Sequence, residues 1–173
     1  MHKFRMLPIT LNLETTSTLL IGQGEKLRAR EKKLRELGIE KLTIIESPLN
    51  KIIFRNFGVV LIVGLDENTS AKLYKAAKAA GCLVNVEDNK KYSDFFFQSF
   101  VKRGDLLLSV STNGKTPGTA KIICDKLEEL FPEIWGERID EIADKRNEWK
   151  TNGKTYEEVN NLTKQYIKDK NWL

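Results

Sequence analysis

The sequence has little cysteine and histidine. Its 173 residues include two cysteines and one histidine, so we predict no metal site and exclude Ser-His and Cys-His catalytic schemes. His2 is a terminal residue, which is a poor position for a general base. Cys82 lies in an apolar, strand-like run and Cys124 on one face of a predicted helix. Both are expected to fill core positions rather than to form a disulfide.

Long apolar runs are also missing. No run approaches the roughly 20 residues that a membrane-spanning helix needs, and residues 1–5 lack the apolar stretch of a signal peptide. The net charge of +5 admits a polyanionic partner. No basic strand studded with aromatic residues, as in single-stranded nucleic-acid binders, is evident. We therefore expect a soluble, cytoplasmic protein that binds neither membranes nor nucleic acid.

Short apolar runs alternate with helical periodicity in the first half of the chain. Strands are predicted at residues 17–21, 42–45, 59–63 and 83–86, and helices at residues 25–37 and 71–80. Asn68, Thr69 and Ser70 are candidate caps of the second helix. This alternation predicts an α/β, Rossmann-like fold with a doubly wound parallel sheet, which binds ligands at the carboxyl ends of its strands.

The second half of the chain has a different pattern. Extended segments at residues 95–101 lead through a tight turn into residues 106–110, and Thr116 and Pro117 begin a helix. The polar helical tail must dock on the core or on a second subunit. We predict a Rossmann-like NAD-binding domain, a small dimerisation and substrate-binding region, and a C-terminal helical tail at residues 1–111, 112–150 and 151–173.

A glycine-containing turn follows the first predicted strand. In dinucleotide-binding turns the first glycine permits a sharp bend, the second lets the backbone approach the pyrophosphate, and the third position is small. Gly22 and Gly24 meet the first two requirements, whereas Leu27 occupies the third position. Glu46, which ends the second predicted strand, could accept the ribose hydroxyls of NAD. The alternatives are an ordinary tight turn and a surface glutamate.

Two further features could carry chemistry. Asp88 follows the fourth predicted strand, where a carboxylate serves either as a general base or as a turn cap. Residues 111–116 supply hydroxyls, an amide, backbone N–H groups and the Lys115 ammonium at the start of a helix. Such a loop suits carboxylates or phosphate, although an ordinary N-cap loop would look similar.

The order of these segments resembles the bifunctional precorrin-2 dehydrogenase/sirohydrochlorin ferrochelatase family. The segments are Met-Leu-Pro-Ile at 6–9, Leu-Ile-Gly-Gln-Gly at 20–24, Asn-Val-Glu-Asp at 85–88, Lys-Arg-Gly-Asp-Leu at 102–106 and Ser-Thr-Asn-Gly-Lys-Thr-Pro at 111–117. Family members usually have three consecutive glycines followed by Val-Ala, whereas Gln23 separates the glycines here and Lys26 and Leu27 follow them.

The resemblance implies a role for each site residue. Asp88 would be the catalytic residue of both reactions. The cofactor NAD would be bound by Gly22, Gln23, Gly24, Glu25, Lys26, Glu46, Ser47, Gly64 and Asp66. The tetrapyrrole would be bound by Asn85, Ser111, Thr112, Asn113, Gly114 and Lys115. The family also forms homodimers.

By this resemblance the chain would dehydrogenate precorrin-2 to sirohydrochlorin with NAD and then insert Fe²⁺, a substrate, to give siroheme. One alternative is a chelatase that has lost NAD, or a catalytically silent relative. Another is a binding module that carries or senses a tetrapyrrole or nucleotide without turnover. Asp88 favours an enzyme. The departures at Leu27 and at Leu65, which stands where the family tends to have threonine, favour the alternatives.

Overall fold

The computed structural model describes residues 6–46 and 52–173, and the chain forms two compact units that divide after Phe96. The first unit contains β1 (Thr18–Gly22), α1 (Gly24–Glu36), β2 (Leu42–Glu46), β3 (Val59–Val63), α2 (Glu67–Ala79) and β4 (Leu83–Val86). The second contains β5 (Ser99–Arg103), β6 (Leu106–Val110), α3 (Pro117–Leu130), α4 (Trp135–Thr151) and α5 (Tyr156–Asp169).

The first unit is built on a four-stranded parallel sheet in the order β2-β1-β3-β4. All five residues of both β1 and β3 are buried, as expected of central strands covered on two faces. Leu27 and Leu34 of α1 pack in one core cluster, and Ala77 of α2 packs in the other. The predicted Rossmann-like, doubly wound sheet is therefore confirmed.

A 3₁₀ turn at Phe54–Asn56 lies between β2 and β3. Phe54 and Phe57 pack against the core on the same face as α2. The Cys82 thiol donates to the carbonyl oxygens of both, at 3.4 and 3.2 Å. Cys82 and Cys124 are buried and free, as predicted.

The segment after β4 covers the edge of that strand. The Asp94 N–H donates to the Val84 carbonyl at 2.7 Å, and the Val84 N–H donates to the Asp94 carboxylate at 2.9 Å. Lys78 of α2 donates to the same carboxylate at 2.8 Å. These bonds satisfy backbone groups that an open sheet edge would leave unpaired.

The second unit is a helical layer on a β-hairpin. Strands β5 and β6 are antiparallel, and α3 packs against both of them. Arg103 donates to the Phe131 carbonyl at 2.8 Å, which joins the hairpin to the end of α3. A Cβ at Gly104 would lie 3.1 Å from the Gly136 Cα, so small residues let the hairpin turn approach α4.

The C-terminal tail docks within its own chain. Trp149 of α4 contacts Tyr166 of α5 edge to face, with ring centroids 6.1 Å apart. The Arg138 guanidinium lies over the rings of both Trp135 and Trp172, at 5.2 and 5.0 Å. Aromatic and cation–π contacts thus fasten α5 and the last residues to α4.

The division after Phe96 differs from the domain boundary predicted at residue 111, because the hairpin packs on α3 and α4. The functions assigned to residues 1–111, 112–150 and 151–173 stay predictions. Across the described ranges, no helix combines the length and apolar character needed to cross a membrane.

Candidate functional site

The turn between β1 and α1 requires glycine at two positions. A Cβ on Gly22 would lie 2.2 Å from the carbonyl oxygen of Val63, so only glycine lets the ends of β1 and β3 approach this closely. Gly24 has a φ of +65°, and outside its own turn no described atom lies within 4 Å of where its Cβ would be. The turn therefore presents open backbone at the carboxyl edge of the sheet.

The loop after β3 packs against this turn. Gly64 has a φ of +65°, and a Cβ there would lie 2.6 Å from the Gln23 carbonyl oxygen and 3.3 Å from the Lys26 Cβ. Gln23 is the N-cap of α1 but makes no side-chain capping bond. Strand order reverses around β1, and such switch points are where doubly wound sheets bind ligands.

Leu27 does not obstruct this turn. Its side chain is 4% exposed and packs in the core with Leu20, Leu34 and Val63. A small residue at this position normally allows close packing of helix on strand. Here the core accommodates the leucine, so the departure from the glycine pattern leaves the open side of the turn unchanged.

The predicted acidic cofactor residues have different surroundings. Glu46 is exposed at the end of β2, in register with Gly22 of β1, which places it beside the glycine turn. Asp66 instead caps α2, because its carboxylate accepts from the Thr69 hydroxyl at 2.6 Å and the Thr69 N–H at 2.9 Å. These bonds lower the pKa of Asp66. Ser47 lies outside the described residues.

Asp88 lies two residues after the end of β4, in the left-handed region, with a φ of +59°. Its side chain is 80% exposed, and its Oδ2 is 3.0 Å from the Lys26 Nζ. The tight turn that follows is held by the Ser93 hydroxyl, which accepts from the Val86 N–H at 3.0 Å and donates to backbone carbonyl oxygens. The backbone thus fixes the position from which the Asp88 carboxylate extends.

Two cations of α1 meet two carboxylates after β4. The Lys26 Nζ is also 3.3 Å from a Glu87 oxygen, and the Arg30 guanidinium is 2.9 Å from the other oxygen of that carboxylate. The bonds to Asp88 and then to Glu87 raise the pKa of Lys26. Sequence reasoning missed Arg30 and Glu87, although Lys26 and Arg30 are one helical turn apart and Glu87 adjoins Asp88.

The predicted tetrapyrrole-binding residues fall in both units. Asn85 is 7% exposed, and its amide nitrogen donates to the Phe95 carbonyl at 2.8 Å. In the second unit, the Ser111 and Thr112 hydroxyls accept from the N–H groups of Asn113 and Thr116, each at 3.2 Å. Substrate contacts by these residues stay predictions.

The same loop contains two consecutive residues with positive φ. Asn113 and Gly114 have φ values of +54° and +66°, and the Lys115 N–H donates to the Thr112 carbonyl at 3.1 Å. Lys115 is exposed. The loop is thus ordered by its own hydrogen bonds and presents an ammonium beside the first turn of α3.

No group of three or more His, Cys, Asp or Glu side chains within residues 6–46 and 52–173 is arranged to hold a metal ion. The parallel sheet, the open glycine turn at its switch point and the nearby carboxylates define instead a dinucleotide-binding type of α/β protein.

Comparison with known proteins agrees with this class. Residues 9–99 match the family model described as "Putative NAD(P)-binding". The match covers more than half of the chain, so the chain belongs to this NAD(P)-binding family. The siroheme synthases among its relatives confirm the predicted family resemblance.

Curated relatives include siroheme synthases. Siroheme synthase 2 of Aeromonas salmonicida is 31% identical over 149 residues, covering 75% of this chain and 31% of the relative. The siroheme synthase of Actinobacillus succinogenes is 31% identical over 179 residues, covering 91% and 37%. The chain thus spans about a third of the length of the curated relatives it matches.

A solved structure titled "SirC, precorrin-2 dehydrogenase" shares the fold, with a TM-score of 0.71 and 19% identity. The likeness covers 97% of this chain and 92% of that one.

Proposed function

We propose that this chain catalyses the NAD-dependent dehydrogenation of precorrin-2 to sirohydrochlorin, a step of siroheme synthesis. One observation carries the proposal: the Asp88 carboxylate, the expected base, is 3.0 Å from the Nζ of Lys26, which lies in the first turn of the helix that follows the glycine turn. Cofactor site and base thus share one edge of the sheet. The names of the siroheme synthase relatives and of the structural neighbour support the substrate.

The residues around the turn suit NAD. Gly24 leaves room for close approach of the pyrophosphate to backbone N–H groups, and Gly22 and Gly64 keep the strand ends and loops close enough to form the turn. Glu46 is in register with Gly22, and we assign it to accept hydrogen bonds from the ribose hydroxyls. When bound, NAD supplies the hydride acceptor of the reaction.

The chain itself supplies proton transfer and substrate binding. Asp88 is an exposed carboxylate that a macrocycle can reach, and we assign it the removal of the substrate proton as general base. Ser111, Thr112 and Lys115 belong to the ordered loop before α3. We assign to this loop the binding of the tetrapyrrole carboxylates.

Insertion of Fe²⁺ into sirohydrochlorin is the second candidate function. Metal insertion displaces pyrrole protons, so it needs a base of the same kind, and the exposure of Asp88 favours this role as well. A chelatase without dehydrogenase activity would keep Asp88 and not need the glycine turn. Binding of NAD therefore separates the two candidates.

We expect purified protein to bind NAD in isothermal titration calorimetry, and to bind NADP on the order of tenfold more weakly, because Glu46 would repel a 2′-phosphate. Glu46→Gln should narrow this difference. The matched control Glu40→Gln changes an exposed carboxylate before β2 and should leave the difference unchanged. Absence of heat with millimolar NAD would refute the dehydrogenase and leave the chelatase.

We further propose that the chain forms a homodimer through its second unit. Phe100 and Leu107 lie on the same face of the hairpin and are 43% and 45% exposed, and Ile122 and Leu130 of α3 are 64% and 67% exposed. Exposed apolar surface of this kind is typical of protein interfaces. A second copy of this chain is the partner that the family resemblance implies.

Light scattering at micromolar concentration should therefore give twice the 19.9 kDa mass of the chain. Leu107→Lys should shift the protein toward the monomer, because it would place an ammonium in an apolar interface. Ala79→Lys adds the same charge at an exposed position of α2 in the first unit, outside the proposed interface, and is the control. A wild-type mass near 19.9 kDa would refute the dimer.

A further inference from the structure

Lys26 connects the two halves of the candidate site. Its backbone lies in the first turn of α1, and its Nζ is 3.0 Å from Asp88 and 3.3 Å from Glu87. We propose that Lys26 is a positioning residue that couples the nucleotide to the base. In the free protein its ammonium holds Asp88, and a diphosphate on the glycine turn draws the ammonium away and releases the carboxylate. This inference rests on the proposed binding of NAD at the turn.

Charge balance favours the exchange. Lys26 and Arg30 together neutralise Glu87 and Asp88, so a diphosphate brings two negative charges to a cluster without net charge. The diphosphate and Asp88 then compete for the same ammonium. A lysine can change partners in this way because its flexible side chain lets the ammonium move while the backbone stays in place.

The exposure of the side chains indicates that the Lys26–Asp88 ion pair breaks before the Arg30–Glu87 pair. The Lys26 and Asp88 side chains are 58% and 80% exposed, and ion pairs this exposed are weak. Arg30 and Glu87 are each only 19% exposed, so water screens their pair less. Arg30 therefore keeps Glu87 in place, and Lys26 is the cation that exchanges partners.

The anchoring of Lys26 supports the same role. Its Cβ would be 3.3 Å from a Cβ on Gly64, so the start of its side chain packs beside the loop after β3. Only the end of the side chain has to move. Nucleotide binding should consequently precede release of the base, which gives an ordered reaction in which Asp88 becomes available once the cofactor is in place.

Calorimetry with NAD on a double-mutant cycle tests the coupling; its four proteins are the wild type, Asp88→Asn, Lys26→Met and the double variant. Asp88→Asn should tighten NAD binding about twofold to fivefold, because Lys26 no longer has to leave a carboxylate, and Lys26→Met should weaken it by a similar factor. In the Lys26→Met background, Asp88→Asn should have a clearly smaller effect. Lys32→Met is the matched control, since Lys32 lies on α1 and its Nζ is 3.9 Å from Glu36.

A spectroscopic readout separates coupling from a general loss of structure. ADP, which carries a diphosphate but no nicotinamide, should shift the ¹³C carboxyl signal of Asp88, assigned through Asp88→Asn, whereas adenosine should not. The shift should be absent in Lys26→Met and return in Lys26→Arg.

If the wild type binds no NAD, the proposed cofactor role and the coupling both fail. If NAD binds equally well to all four proteins, or if ADP shifts the Asp88 signal equally with and without Lys26, the coupling alone is overturned.

Discussion

Asp88→Asn should reduce the conversion of precorrin-2 to sirohydrochlorin by about a hundredfold or more, because an amide cannot take up the substrate proton. Asparagine is the appropriate replacement, because Asp88 has a φ of +59° and asparagine tolerates this region better than alanine. The fold should therefore remain, which a circular dichroism melt can verify. The measurement is the rate of sirohydrochlorin formation with NAD at saturating substrate.

A contrasting variant distinguishes chemistry from binding. Lys115→Ala removes an exposed charge that we assign to the tetrapyrrole carboxylates, so it should raise KM and leave kcat nearly unchanged. Asp88→Asn should instead lower kcat. An Asp88→Asn protein that forms sirohydrochlorin at the wild-type rate would show that this carboxylate is not the base.

The sheet could be predicted because its signal is local. The apolar run at residues 59–63 matches β3 at both ends, and residues 83–86 match β4. Central strands of a parallel sheet are apolar along their whole length, so few alternatives fit such runs. The sequence also predicts Thr116 as the N-cap of α3 with Pro117 in its first turn, because threonine is favoured at N-caps and proline at the first helical position.

The start of α2 was predicted four residues too late. The sequence predicts Asn68, Thr69 and Ser70 as caps, whereas Asp66 caps the helix and these three residues lie in its first turn. Several polar residues in a row all suit a cap. Only the hydrogen bonds that the Asp66 carboxylate accepts from Thr69 show which polar residue is the N-cap.

The charged cluster was beyond prediction for a different reason. Lys26 and Asp88 are 62 residues apart in the chain, and Arg30 and Glu87 are 57 residues apart. Periodicity assigns residues to faces of helices and strands but does not tell which long side chains meet across elements. The order β2-β1-β3-β4 had to be known first.

Gly22→Ala should cause the largest loss of stability among single-methyl changes at this site. The added Cβ would lie 2.2 Å from the Val63 carbonyl oxygen and 2.6 Å from its Cγ2, and the carbonyl belongs to the backbone of a central strand. Overpacking of this kind costs about 1–3 kcal/mol, and a clash with backbone belongs at or above the upper end. Urea unfolding should show this as a lower free energy of unfolding, together with loss of NAD binding.

Gly24→Ala is the matched control for this prediction. Gly24 has a φ of +65°, which favours glycine whatever its neighbours, but the space around its Cβ position is open. The change should cost only about 1–2 kcal/mol of backbone strain, while a methyl group on the open side of the turn still weakens NAD binding. Equal free energies of unfolding for Gly22→Ala and the wild type would contradict the close approach of β1 and β3 on which the geometry of the turn depends.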